Sequence, residues 1–274
     1  MGRLTGFCAR SSTICAVLAS SVASAQSLPE THLWLLELGS ANHSAPVRIT
    51  SSTGYHNQPA FSPDGQALFY TCERTGGQTD ICRYDIAEQR IHEIHQSAES
   101  EYSPTPIPGQ HALSVIRVEA DARQRLWRIP LDGGKTTVLW PQVAPVGYHA
   151  WLDESTAMLF ILGETFDLHL AETGTQGSRR IYSNIGRTLR KHPLTGAGLF
   201  VDKNQEPWAI TSLDAQSGHT EVVIKLLPGV EDFEVDSSGR FWIGYGSKLY
   251  RSAPTGHGWL LEMDLSEWGV SGIT

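Results

Sequence analysis

The chain has 274 residues, 40% of them apolar, with 26 Gly, 14 Pro and eight Trp and no sustained helical period. That composition suits many short strands and tight turns around a substantial core. Acidic residues outnumber basic ones by 29 to 21, a formal charge of −8, and no basic stripe is present to neutralise phosphates. Nucleic acid is therefore set aside as a partner.

Residues 1–25 read as an export signal. Arg3 and Arg10 give a positive start, 13–22 (TICAVLASSV) is a short apolar run, and Ala23-Ser24-Ala25 offers small residues for signal peptidase. The apolar run is about half the length of a membrane span. The alternative is a buried N-terminal helix. Cys15 follows Ile14 rather than a small residue, so no lipoprotein cleavage motif is present. Cleavage after Ala25 would leave a mature chain, 26–274, with 19 basic against 29 acidic residues, formal charge −10. Nothing later in the sequence resembles a transmembrane segment. The expected location is the periplasm, an oxidising compartment.

Taken in order, 32–38 (HLWLLEL) and 47–50 read as two strands. Residues 55–85 then hold three strands and two turns. In the first turn, Phe61-Ser62-Pro63-Asp64-Gly65, Pro presets φ, Asp caps the backbone and Gly supplies a positive φ. Strands at 67–72 and 80–85 flank the second turn, Thr75-Gly76-Gly77-Gln78, and 92–95 is a fourth strand. Cys72 and Cys82, the cysteines that outlast the signal, sit nearly opposite each other across that hairpin. They read either as a short cross-strand disulfide or as two buried thiols, since directly opposed positions often give poor disulfide geometry.

The same order recurs. A second unit runs from 103–106 through 112–118, 125–129 and 136–140, and a third from 148–151 through 158–162, 165–170 and 179–182. A weaker fourth spans 187–191, 198–201, 208–213 and 222–226. A fifth spans 233–235, 241–244, 248–251 and 259–263. Residues preceding the first turn of each unit (Phe61, Pro106, Trp151, Leu189, Val235) recur about every forty positions. Four strands per unit at this period predict an all-β β-propeller forming a single domain, 26–274. A β-sandwich would not place the turn in register from unit to unit. The count is five complete four-stranded blades plus an incomplete sixth represented by the N-terminal strands. The chain ends where another first strand would begin, which reads as a truncated or frameshifted sequence.

QPAFSPDGQALFYTCERTGGQTDICRYD resembles the Pro-Asp propeller repeat of TolB-like proteins, PxWSPDGxxIxFxSxRxGxxxIYxxD. Pro59, Phe61, Ser62, Pro63, Asp64, Gly65, Phe69, Arg74, Asp80, Ile81 and Asp85 fill its positions. Cys72 and Cys82 stand where the pattern has Ser and Tyr. The resemblance implies a periplasmic propeller, but 26–31 leaves no room for the N-terminal α/β domain of TolB, so its Tol–Pal role does not transfer with the fold.

The innermost strand of each propeller blade lines the central channel. Aligning the units by their first turns brings Asn57, Gln58, Glu101, Tyr102, Tyr148, His149, Gly186, Arg187, Glu231 and Asp232 to one mouth. Such a set suits a small ligand or a peptide, with Arg187 and His149 as an anion-binding pair. The alternative is that channel strands are polar because they face water. No catalytic nucleophile stands out. Ser271 in GVSGI lacks the G-x-S-x-G spacing, and His92 and His95, three apart on a strand, point to opposite faces and cannot share an ion. No metal or cofactor is called for. Asn42-His43-Ser44 fits a glycosylation sequon by chance. The sequence thus favours an exported, non-catalytic module binding an envelope protein or small ligand. The competing class is a metal-assisted carbohydrate lyase or hydrolase on a propeller.

Overall fold

The structure, a computed structural model, describes residues 28–38, 44–253 and 258–273. The export signal, its cleavage site and Asn42 lie outside these residues. Among the described residues the fold is all-β apart from one 3-10 turn at Ser266–Trp268.

Strands β1 (Trp34–Leu35) and β2 (Val47–Arg48) form a two-stranded hairpin. Five antiparallel four-stranded sheets follow, each built from consecutive strands. Blade 1 is β3 (His56–Phe61), β4 (Ala67–Glu73), β5 (Thr79–Asp85) and β6 (Arg90–His95). Blade 2 is β7 (Ser100–Pro106), β8 (Ala112–Val118), β9 (Gln124–Pro130) and β10 (Thr137–Val138). Blade 3 is β11 (Val146–Trp151), β12 (Thr156–Ile161), β13 (Asp167–Glu172) and β14 (Arg179–Ser183). Blade 4 is β15 (Ile185–Lys191), β16 (Gly198–Asp202), β17 (Ala209–Leu213) and β18 (Thr220–Lys225). Blade 5 is β19 (Glu234–Val235), β20 (Phe241–Tyr245), β21 (Lys248–Ser252) and β22 (Trp259–Asp264). The architecture is a five-bladed β-propeller with an additional N-terminal hairpin.

The recurring turn is chemical. Ser62 Oγ donates to Asp64 Oδ1 (2.5 Å), the Gln66 N–H donates to the same oxygen (3.0 Å), and the Ala67 N–H donates to Ser62 Oγ (2.9 Å). Gly65 closes it at φ 70°. Asp236 plays the same part in blade 5, accepting from the Ser238 and Arg240 backbone.

Middle strands such as β4 are buried along almost their whole length, because both faces of a blade meet neighbours. Phe69 and Ile81 of blade 1 pack on Leu113, Val115 and Ile129 of blade 2. Similar layers join blade 2 to blade 3 through Trp140 and Trp151, blade 3 to blade 4 through Phe160 and Phe200, and blade 4 to blade 5 through Val201 and Phe241. The hairpin lays Leu33 and Ile49 on the remaining face of blade 1, against Leu68, Tyr70 and Tyr84.

Cys72 and Cys82 are joined by a disulfide beneath that hairpin, with Cα atoms 5.9 Å apart. They are not directly opposed. Cys72 pairs with Asp80 and Cys82 with Tyr70, so the bond spans a diagonal of the ladder. The turn is one step off the symmetric centre expected from sequence, and the diagonal spacing falls within disulfide reach.

The bond closes a loop with a sequence separation of ten. Replacing both residues (Cys72→Ala, Cys82→Ala) should lower the unfolding free energy by about 2–3 kcal/mol on the chain-entropy model. Urea unfolding of the double variant beside oxidised and reduced wild type measures this. Coincident midpoints for oxidised and reduced protein would refute it.

Candidate functional site

Bulges interrupt the inner strands of four blades. They fall between Asn57 and Ala60, Tyr102 and Thr105, Val146 and Tyr148, and Ile185 and Leu189. A bulge bends its strand and re-aims the side chains beside it. Gln58 and Ser103 occupy the left-handed region at φ 56° and 54°, a conformation costing a non-glycine residue on the order of 1 kcal/mol. Side-chain bonds within blade 1 and to blade 2 offset that cost. Gln58 Oε1 accepts from the Ser103 N–H and from Thr71 Oγ1, both at 2.9 Å, and its side chain also approaches the Tyr148 hydroxyl.

Side chains from the blades converge there. Tyr55, just before β3, meets Tyr102 edge-on with ring centroids 6.4 Å apart, and Asn57 lies beside it. Tyr148, braced edge-on by Phe160 at 5.7 Å, and Arg187 face the same Tyr55 across the channel. Arg187 donates from Nε to Asp232 Oδ1 (2.9 Å) and makes a second bond to Asp232 Oδ2, while Thr188 Oγ1 donates to Oδ1 (2.9 Å). Glu231 accepts the Arg187 N–H (2.6 Å) and pairs with Lys203 (2.9 Å), whose ammonium lies 4.3 Å from the Trp208 ring. Gly186 permits this, since a Cβ there would lie 2.7 Å from Val201 Cβ and 3.0 Å from Glu231 Cγ.

Burial, helped by the neighbouring tyrosines, pushes Tyr55 up to about 12, and burial also raises Tyr148. The Asp232 hydrogen bonds hold the Arg187 guanidinium above its usual range. At neutral pH the cup thus offers neutral phenol hydroxyls, amides and two mutually paired sets of charges.

The structure therefore brings together Asn57, Gln58, Tyr102, Tyr148, Arg187, Glu231 and Asp232, and places Glu101 and His149 elsewhere. The blade 2 counterparts of Asn57 and Gln58 are Tyr102 and Ser103, as their cross-strand partners show. A one-residue slip sends a strand side chain to the other face, which is where Glu101 points. It is fully buried between blades 1 and 2, accepting from Ser97 Oγ (2.6 Å) and Arg117 Nε (2.9 Å). Burial, with the Asp80 carboxylate adding to it, outweighs those partners and pushes Glu101 up to about 7. His149 is buried between blades 2 and 3, its Nε2 2.6 Å from Ser114 Oγ, and desolvation pushes it down to about 3. Arg187 and His149 thus form no anion-binding pair, because Asp232 takes the guanidinium and His149 stays neutral in the core. Tyr55, which opens the stretch 55–58 where the sequence points to function, joins the cup, and Ser103 and Lys203 join it unanticipated. Tyr55 was within reach of the period-two rule, two residues before Asn57, whereas Lys203 carries no local signal.

His92 and His95 diverge as expected. His92 Nε2 lies 3.0 Å from Asp85, and His95 faces Arg117 and Glu101. Asp85, Glu88 and His92 gather their ligand atoms within 4.8 Å on the outer hairpin β5–β6, away from the cup. Arg83 already donates twice to Asp85 Oδ1, at 2.8 and 2.5 Å.

Solved structures share the fold that carries this site. A TolB candidate from Agrobacterium tumefaciens superposes with a TM-score of 0.67 over 83% of this chain and 86% of that one, at 13% identity. The fold is TolB-like. TolB from Acinetobacter baumannii gives a TM-score of 0.55 at 12% identity, over 69% of this chain and 50% of its own. The TolB-like propeller is also similar to oligogalacturonate lyase from Vibrio parahaemolyticus, with a TM-score of 0.56 at 15% identity over 79% and 67% of the two chains. By sequence it is 27% identical over 101 residues to an uncharacterized protein of Agrobacterium fabrum, a match spanning 34% of each chain. No family model matches the sequence. At these identities the likeness is one of fold. Among the described residues no helix is long and apolar enough to cross a membrane.

His149 and Glu101 act in opposite senses on stability. In the fold His149 takes a proton only near pH 3, against 6.5 ordinarily, so the unfolded chain protonates first and acidification below 6.5 favours unfolding. Glu101, raised to about 7 from 4.5, protonates first in the fold, so acidification through that window favours folding. His149→Gln should hold its stability better than wild type from about pH 7 to about pH 4.5, by about 2 kcal/mol, and Glu101→Gln should hold it worse. Urea midpoints across that range measure both slopes, and parallel profiles for all three proteins would contradict the assignment.

Proposed function

We propose that this TolB-like propeller is an exported, non-catalytic binding module that works in the periplasm and holds an envelope protein or small ligand at the cup. The observation that carries the reading is the convergence of Tyr55, Tyr102, Tyr148 and Arg187 from four blades on one mouth. Tyrosine combines a large apolar body with a polar tip and few rotatable bonds, which suits a surface that must be partly desolvated on binding. The charge pairs are internally balanced, so recognition rests on hydrogen bonds and ring contacts rather than on net charge. Export to the periplasm is supported by the pattern of residues 1–25 and by the resemblance of the repeat.

The second reading is a metal-assisted carbohydrate lyase or hydrolase, and the likeness to oligogalacturonate lyase favours it. Against it, the cluster with metal-ligand spacing sits on the outer hairpin, where Arg83 competes for Asp85.

With the mature protein as bait for an envelope fraction, Tyr102→Ala and Arg187→Ala should each reduce capture of the native partner by about tenfold or more. His149→Gln should leave it unchanged. Equal capture by all four proteins would dismiss the cup. One tightly held divalent ion per purified chain would favour the enzyme.

A further inference from the structure

A cavity of about 540 Å³ opens on the other side of β3 from the cup, between the segment leading out of the N-terminal hairpin and the far face of blade 1. Its size is that of a small-ligand pocket. The Cys72–Cys82 disulfide and Ile91 give it an apolar side, and His56, Tyr70, Glu73 and Glu93 give it a polar one.

Two of these side chains are buried and carry a polar atom without a partner. Tyr70 is 1% exposed, and its hydroxyl makes no hydrogen bond among the described residues. His56 is 5% exposed and leaves Nδ1 unpaired, while its Nε2 is 2.9 Å from Ser52 Oγ. Buried polar groups are rarely left so unless something else satisfies them.

The charge is equally one-sided. Neither Glu73 nor Glu93 has a cationic partner among the described residues. Glu73 Oε2 accepts only the Tyr55 N–H (2.8 Å), and Glu93 Oε2 is bonded to the Gln96 amide. Arg74 also reaches the cavity, but its guanidinium is held by the fully buried Asp80 at 2.7 Å. An anion would meet two carboxylates, and a neutral polyol would leave both uncompensated. A cation meets counter-charge, a phenol oxygen and an aromatic face at once.

We propose that this cavity is a second binding site, for a small organic cation bearing an ammonium group. Glu73 and Glu93 supply the counter-charge, Tyr70 the hydrogen bond, and Ile91 with the disulfide an apolar floor for the carbon chain. The site is separate from the cup and stands whether or not the cup binds anything.

Calorimetric titration of the oxidised mature protein with 1,4-diaminobutane at moderate salt tests it. Saturable one-to-one binding is expected, weakened about tenfold by Glu93→Gln and again by Tyr70→Phe, and unchanged by Arg187→Ala. Glu93 is exposed on β6, so its variant keeps the fold. Bound diamine should also slow reduction of Cys72–Cys82 by a phosphine severalfold, because the disulfide lines the site. Absence of saturable binding into the millimolar range overturns the proposal. So does equal affinity for Glu93→Gln, or equal binding of the neutral 1,4-butanediol.

Discussion

Everything in this molecule depends on one constraint: a four-stranded blade has two apolar faces and cannot bury either alone. The solution is serial, each face meeting the next blade, as Phe69 and Ile81 meet Leu113 and Val115. Serial burial leaves a face over at each end of the stack. On blade 1 the β1–β2 hairpin covers it with Leu33 and Ile49. On blade 5 the C-terminal segment does so, and Ile273 lies so near Gly244 that a Cβ there would come within 2.5 Å. The disulfide belongs to the same logic, tying β4 to β5 where the cover is a two-stranded hairpin rather than a full blade.

Burial between blades also decides what is left for the channel. The apolar layers occupy the blade faces, so the inner strands can turn polar side chains inward without breaking the core. The bulges near their N-terminal ends are the device. Left-handed Gln58 and Ser103 would be a weakness in isolation, yet Gln58 converts its strained backbone into bonds to blade 2 and to Thr71 of its own blade. Arg187 and Asp232 do the equivalent between blades 4 and 5. Polar bonds across blade boundaries fix the angular register that non-directional apolar packing leaves loose. The residues that shape the cup are thus also structural.

Much of this was legible in the sequence. The Pro63-Asp64-Gly65 turn and the repeat in register indicated the blades and their number, because turn chemistry is local and periodicity is arithmetic. The cup was legible only in part. Blades 1 and 2 are the same length there and their bulges match, so an equal count back from Phe61 and Pro106 pairs Gln58 with Ser103. One residue of slip exchanged Ser103 for Glu101, and the inward-turned His149 was indistinguishable from a channel residue until its contact with Ser114 was seen. Neutralisation of Arg187 by Asp232 also depends on a neighbouring blade, which spacing along one strand does not reveal.

The start of β3 shows how closely the two faces of one strand are coupled. Tyr55 and Asn57 point to the cup, while His56 between them points to the cavity under the hairpin. Glu73 joins the two sides, because one carboxylate oxygen holds the Tyr55 backbone N–H while the side chain lines the cavity. Thr31 fastens the same point from the hairpin, donating to the His56 carbonyl and accepting its N–H at 3.1 and 3.0 Å. A strand fixed so firmly by its neighbours cannot move one of these side chains without moving the next. The alternation that lets β3 serve both sides therefore also ties the backbone of Tyr55 to the Glu73 carboxylate.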